Sequence, residues 1–143
     1  MGKQKKFRGI ITVICMMMLM ITSNVNVFAS DDNISYSLSL PVGSGNAYTS
    51  KRYRQTESIL NKWKVNYVSS TNSNIYHVNF WLAKSSDSSI VSSINEVYRG
   101  SGEKKYMAKS AANQTYVKLG AENASYDLHE SGIIKGFWDE ETW

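Results

Sequence analysis

Apolar residues recur at every second position over several short stretches of the chain, and this period limits what the chain can fold into. Residues 34–43 alternate Ile, Tyr, Leu, Leu and Val with Ser, Ser, Ser, Pro and Gly. Residues 75–83 and 115–119 follow the same pattern, and clusters of turn-forming residues separate such stretches. A period of two puts one set of side chains on the buried face of a β-strand and the other set on its wet face. The pattern therefore predicts a protein built from short strands.

The number and spacing of these strands predict the fold class. About seven or eight short strands with turns between them favour an all-β fold with a single antiparallel β-sandwich, either jelly-roll or immunoglobulin-like. Residues 47–56 are expected to form the second strand. Residues 90–98 leave two alternatives open, because Ile90, Ile94 and Val97 have helical spacing whereas the serine-rich, β-branched composition favours a strand.

The beginning of the chain predicts export. Four basic residues precede an apolar run over residues 10–21, and small residues stand at the −3 and −1 positions of a cleavage site between Ala29 and Ser30. We therefore expect a signal-peptide helix over residues 1–29 and one exported domain over residues 30–143. The apolar run is shorter than the roughly 20 residues that a membrane span needs, so we expect no transmembrane span after cleavage.

The expected mature domain has neither net charge nor thiols. Four of the 16 Lys and Arg residues lie in the first 29, so the rest of the chain balances the 12 Asp and Glu residues. A neutral domain lacks the clustered cations that nucleic-acid binding requires. The single cysteine, Cys15, lies in the signal peptide, and a small secreted domain without disulfides fits bacterial export. We expect a bacterial protein, from a Gram-positive cell, that is either secreted or associated with the cell surface.

No motif in the sequence points to catalysis. The chain has no P-loop, no H-E-x-x-H helix motif and no G-x-S-x-G nucleophile motif. His77 and His129 show no spacing typical of a metal site or a catalytic pair. We therefore expect a protein that is not an enzyme and that needs no cofactor.

Acidic residues offer one candidate metal site. Glu122, Asp139, Glu140 and Glu141 could supply oxygen ligands for Ca²⁺, which suits an exported protein. Their spacing does not match an EF-hand loop, and a solvated acidic terminus is the alternative.

Two arginines are candidate ligand contacts. If residues 51–54 are a strand, Arg52 and Arg54 share one face while Tyr53 points inward. Two adjacent guanidinium groups suit phosphate or carboxylate recognition by forked hydrogen bonds. Ion pairing with Glu122 or with the acidic C-terminus is the structural alternative.

Two tryptophans are the other candidate contacts. Trp81 is expected opposite the strand face that carries Phe80, and Trp143 ends the chain. An exposed indole combines an apolar body with a polar tip, so either residue could bind sugars or a membrane surface. Packing in a core is the alternative for Trp81.

Six short strings along the chain resemble a known family. They are Arg52–Thr56, Trp63–Val65, Phe80–Ala83, Gly100–Gly102, Leu119–Asn123 and Gly136–Thr142. Together they resemble the exported bacterial proteins of domain-of-unknown-function family 2712, which implies export and no particular activity. More loosely, the small size and the abundance of Tyr, Trp and Ser are similar to the lactococcin-type secreted β-sandwich bacteriocins, which act on a cell-wall precursor.

These observations together predict a binding protein. We expect an exported, non-enzymatic module that binds a cell-envelope component or a partner protein. A bacteriocin-like secreted toxin, acting on the cell envelope of related bacteria, is the alternative.

Overall fold

The computed structural model describes residues 32–124 and 129–142, and within them the fold is all-β. The strands are β1 (Ile34–Leu40), β2 (Ala47–Tyr48), β3 (Arg52–Arg54), β4 (Trp63–Ser70), β5 (His77–Lys84), β6 (Asn95–Tyr98), β7 (Lys104–Tyr106), β8 (Thr115–Asn123) and β9 (Gly132–Asp139). One 3₁₀ turn spans Ser110–Ala112. Within the described residues no helix is long and apolar enough to cross a membrane. The predicted signal-peptide helix, its cleavage site at Ala29 and Ser30, and Trp143 lie outside these residues.

The strands form two antiparallel sheets in the order of a jelly roll. One sheet has the order β1-β9-β4-β7, and the other has the order β2-β8-β5-β6 with β3 also paired to β8. If β2 and β3 count as one interrupted strand, the eight strands run 1-8-3-6 in the first sheet and 2-7-4-5 in the second. This is the strand order of a jelly-roll sandwich, in which eight strands form two Greek keys that span the two sheets. The prediction of an antiparallel β-sandwich is confirmed.

The two-residue period decides which side chains fill the space between the sheets. In β1, Tyr36, Leu38 and Leu40 are buried and the serines between them are exposed. The inward positions of β4, β5, β8 and β9 add the large residues of the same core. The fully buried members include Trp63, Tyr67, Phe80, Leu82, Leu119 and Ile134. Burial of these apolar side chains, each worth about 1.5–3 kcal/mol, holds the sheets together without a disulfide.

Two sequence predictions about strands are resolved by the pairing. Within residues 90–98, Asn95–Tyr98 is a strand, so the strand alternative is confirmed over its second half. In the first half of this segment, isolated β-bridges join Ile90 to Ala83 and Ser92 to Ala108, so the backbone there is extended. The prediction of one strand over residues 47–56 is wrong, because β2 and β3 pair with separate parts of β8.

Candidate functional site

The arginines of β3 face the interior, contrary to prediction. Arg52 lies opposite the core residue Val117, and Tyr53 lies opposite Tyr116 on the outer face. Arg54 has no exposed surface, whereas Tyr53 is 43% exposed. The expectation that Tyr53 points inward is therefore wrong, because the pairing of β3 with β8 sets the opposite orientation.

The end of the chain covers these arginines, and we call residues 139–142 the C-terminal latch. Arg54 donates one hydrogen bond to the backbone carbonyl of Glu140 and another to that of Asn61. Arg52 pairs with the Glu140 carboxylate, and its guanidinium lies 3.7 Å from a carboxylate oxygen of Asp32. Burial lowers the pKa of Arg54, although nearby carboxylates oppose that fall. Both guanidinium groups are thus engaged within the protein, and the structure favours the ion-pairing alternative over ligand contact.

The remaining latch residues are fastened by backbone hydrogen bonds. The Glu141 carboxylate accepts hydrogen bonds from the amides of Gln55 and Thr56, at 3.0 and 2.9 Å. The Thr142 amide donates to the Lys62 carbonyl at 2.7 Å and to the Asn61 side-chain oxygen at 2.8 Å. The latch therefore joins the end of β9 to the segment between β3 and β4.

The predicted calcium ligands are not brought together. Glu122 lies on the outer face of the five-stranded sheet, where it accepts a hydrogen bond from Asn79 at 3.1 Å. Asp139, Glu140 and Glu141 lie at the end of the other sheet and serve the latch. Across residues 32–124 and 129–142, no group of three or more His, Cys, Asp or Glu side chains is placed to hold a metal ion.

Asp139 makes the latch sensitive to pH. Its side chain is fully buried, and one carboxylate oxygen has no hydrogen-bond partner. Burial, together with the negative charge of Glu140, raises the pKa of Asp139 to about 7, against the opposing effects of the Glu141 backbone amide, Lys64 and Arg52. A carboxyl group with a higher pKa in the folded chain binds its proton more tightly when folded. It therefore favours folding most at low pH, and this contribution is lost as the pH rises from about 4 to about 7.

We expect the Asp139→Asn variant to gain stability over wild type as the pH rises. The difference in the free energy of unfolding should move by about 1–3 kcal/mol in favour of the variant between about pH 4 and pH 8. Urea unfolding at several pH values measures it. Asp87→Asn is the control, because a backbone amide lowers the pKa of exposed Asp87 and confines its effect to more acidic pH. A pH-independent difference for Asp139→Asn would show that its carboxyl group titrates normally.

Trp81 is not available as an exposed contact. Its side chain points to the outer face of the five-stranded sheet but is only 1% exposed. The ring of Tyr48 meets it edge-on at 6.1 Å between centroids, and Gly120 opposite leaves the room that the indole fills. The structure therefore favours the packing alternative for Trp81 over a ligand contact.

Around Trp81, the outer face of the five-stranded sheet presents rings that sequence reasoning did not select. We call this set the aromatic face: Tyr48, Tyr53, Tyr76, His77, Tyr98 and Tyr116. Four of the five exposed aromatic side chains that the structure describes belong to it, with exposures of 43–51%; the fifth, Phe137, lies on the other sheet.

The rings of the aromatic face form three groups. The first group pairs Tyr53 with Tyr116 at 5.1 Å between centroids, and the Lys51 ammonium lies 4.9 Å from the Tyr116 ring. The middle group is Tyr48, with the Lys118 ammonium 4.1 Å from its ring centre.

The third group combines Tyr76, His77 and Tyr98. The Tyr76 and His77 rings are stacked at 4.3 Å, and Tyr98 lies 5.4 Å from His77 between centroids. His77 also pairs with the carboxylate of Glu96, and this contact lowers the pKa of Glu96. The group is therefore held in place by ring contacts and by one polar pair.

The signal for this face was present in the sequence at the wet positions of the strands. In β1 the outward residues are serines, whereas the outward positions of β5 and β8 include His77, Trp81 and Tyr116. A bulky ring at a wet position indicates either a second layer of packing or a binding surface. The structure leaves four rings of this face about half exposed, so a second layer of packing does not account for them.

Fold and surface together define a jelly-roll β-sandwich protein with an exposed aromatic face on one sheet. The chain belongs to a family described as Protein of unknown function (DUF2712), which matches residues 23–142. This match confirms the family resemblance of the six short strings. No curated protein and no solved structure matches the chain, and the similarity to bacteriocins is not shown.

Proposed function

We propose that this protein is an exported, non-enzymatic module that binds a component of the bacterial cell envelope through its aromatic face. The observation that carries the proposal is the concentration of half-exposed, mutually packed rings on one sheet face. Several half-exposed rings on one sheet face are typical of a binding surface, because exposed apolar residues that cluster mark interaction sites more often than those that are scattered singly. Tyrosine rings are also enriched among the residues that dominate binding energy.

The arginines of β3 are not part of the proposed binding surface. Arg52 and Arg54 are occupied by the C-terminal latch, so their guanidinium groups are not offered to a ligand. The aromatic face, in contrast, lies on regular strands whose partners are fixed by the sheet. Ring pairs such as Tyr53 and Tyr116 are already in contact, so little side-chain entropy is lost on binding.

His77, the histidine on this face, is engaged within the protein. Its ring is stacked on Tyr76, lies 5.4 Å from Tyr98 and pairs with Glu96, so only 15% of the side chain is exposed. This engagement supports a packing role for the histidine rather than a catalytic one.

We expect the Tyr53→Ser/Tyr116→Ser double variant to bind isolated Gram-positive envelopes at least about tenfold more weakly than wild type. The loss corresponds to at least about 1.4 kcal/mol, the scale of a binding hot spot. Sedimentation of the protein with purified envelope fragments measures it. Phe137→Ser is the matched control, because it removes an equally exposed ring from the other sheet. Equal binding by the double variant, or loss by the control instead, would overturn the proposal.

The alternative is a bacteriocin-like toxin that binds its target through the same aromatic face. The two functions differ in outcome, because a toxin inhibits the growth of related bacteria and a binding module does not. Titration of the protein onto a panel of Gram-positive cultures separates them. Inhibition that the Tyr53→Ser/Tyr116→Ser variant loses would establish the toxin.

A further inference from the structure

We infer that the ligand of the aromatic face is an extended, uncharged carbohydrate chain that lies across all three ring groups. The inference rests on the proposed function and deepens it by naming the class of ligand. It is carried by the spacing of the groups, by the polar side chains between them and by the balance of charge on the face.

The three ring groups are evenly spaced along the strand direction. Counted along β8, the first group lies at position 116 and Tyr48 lies opposite position 120. Val78 lies opposite position 123, which places His77 of the third group level with position 124. A strand rises about 3.3 Å per residue, so each interval is about 13 Å along the strands. The second interval also crosses from β2 to β5, about 10 Å sideways, so it is about 16 Å and the row is about 30 Å long. A row of this length fits an extended polymer better than a compact ligand.

Polar side chains fill the intervals between the rings. Lys118, beside Tyr48, donates a hydrogen bond to the Ser88 hydroxyl at 2.8 Å. Asn79 and Glu122 form a pair at 3.1 Å between the middle and third groups. Donors and acceptors thus alternate with rings. This alternation suits a sugar chain, because a sugar ring presents an apolar face for stacking and hydroxyl groups that both donate and accept.

The charges of the described part of the face argue against a polyanionic ligand. Among the residues that the structure describes there, Lys51 and Lys118 contact rings as cations, and Glu96 and Glu122 are anions. A teichoic-acid-like or nucleic-acid-like chain needs an excess of clustered cations to balance its phosphates. A neutral glycan needs none.

A peptide that adds a strand to a sheet would use a different surface. Such a partner binds the backbone of an edge strand. The ring groups instead lie on the face of the sheet and include residues of its inner strands β5 and β8. This placement favours a chain that is bound by its rings and hydroxyl groups.

Tandem ring groups make affinity depend on ligand length. A fragment shorter than one interval contacts one group, and a longer fragment gains each further group as an intramolecular event. We expect affinity to rise at least about tenfold as fragments lengthen to about 30 Å, and to level off beyond that length.

The test is competition by envelope glycan of graded length. Purified envelopes are treated with protease, and their lipids and phosphate polymers are removed by extraction. The remaining glycan is partly hydrolysed, and the fragments are separated by size. Each size fraction then competes with intact envelopes for the purified protein. The expected result is that protease-treated envelopes still bind and that competition strengthens with fragment length.

A truncated row provides the matched comparison. His77→Ala/Tyr98→Ala removes two of the three rings of the third group and should abolish the gain in affinity that this group adds for the longest fragments. The affinity should then level off at about half the wild-type fragment length, because one interval of about 13 Å remains. The double variant must keep the wild-type unfolding curve, and Tyr98→Ala alone replaces it if it does not.

The outcomes separate this inference from the proposed function. Envelope binding that is lost with protease treatment, and with which no glycan fraction competes, overturns the carbohydrate ligand and leaves a protein partner for the same face. Competition that does not depend on length overturns the row of three groups. Failure to bind intact envelopes overturns the proposed function itself.

Discussion

Replacement of Arg54 by alanine is expected to lower the free energy of unfolding by about 3–5 kcal/mol, the cost of breaking a buried charged contact from one side. The guanidinium is fully buried and bridges the backbone carbonyls of Glu140 and Asn61. Without it both carbonyls lose a charged donor, and the carboxylate of Glu141 loses a nearby opposite charge. Arg54→Lys should recover little, because a single ammonium cannot reproduce the fork that reaches two acceptors.

Urea unfolding followed by tryptophan fluorescence measures this loss, and Lys62→Ala is the control. Lys62 is an exposed cation near the same segment, so its removal should change stability by no more than about 0.5 kcal/mol. A loss below about 1 kcal/mol for Arg54→Ala would contradict the structural role of the latch.

Gly136→Ala is expected to destabilise the four-stranded sheet by about 3 kcal/mol or more, at the upper end of overpacking. Gly136 faces the core between Tyr36 of β1 and Tyr67 of β4. The Tyr36 ring crosses above it, and the Tyr36 hydroxyl donates to the Asn66 carbonyl at 3.2 Å. An added methyl group would collide with that carbonyl and would lie 2.7 Å from the Tyr36 hydroxyl. The backbone cannot yield without disturbing the pairing of β9.

Gly132→Ala in the same strand is the matched control. Its added methyl group would meet side-chain atoms at 3.0–3.4 Å, and these atoms can shift. Thermal unfolding compares the two variants, since about 1 kcal/mol moves the midpoint by about 4 °C in a domain of this size. A smaller loss for Gly136→Ala than for Gly132→Ala would show that Tyr36 does not pack as described.

The period of hydrophobic residues predicts the sandwich, because burial of one strand face dominates its energy. Thus Tyr36, Leu38, Val117 and Leu119 are inward, as the alternation indicates. The same rule fails at β3, where it places charged residues outward. Arg54 is buried because it meets an acceptor 86 residues further along the chain, the Glu140 carbonyl, and only the folded topology brings the two together.

The aromatic face was only partly predictable for a related reason. An aromatic residue at a wet position can be covered or exposed, and the cross-strand neighbour decides which. Trp81 lies opposite Gly120 and beside Tyr48, so it is covered. Tyr116 lies opposite Tyr53 with no further layer above, so both remain exposed. The strand register that makes this distinction is a property of the fold and is not visible in a single sequence.

The most direct test of the aromatic face is a map of which surface becomes protected when the protein binds envelopes. The sequence has one cysteine, so a Cys15→Ser background accepts single reporter cysteines. Lys51→Cys and Glu96→Cys report on the aromatic face, and Ser37→Cys and Lys135→Cys report on the outer face of the other sheet. Maleimide labelling of each variant is compared with and without saturating envelopes. We expect the first two cysteines to be labelled at least about tenfold more slowly in the bound state and the other two to be unaffected. Protection of Ser37→Cys and Lys135→Cys, with free labelling of the first pair, would contradict the account and assign binding to the opposite sheet.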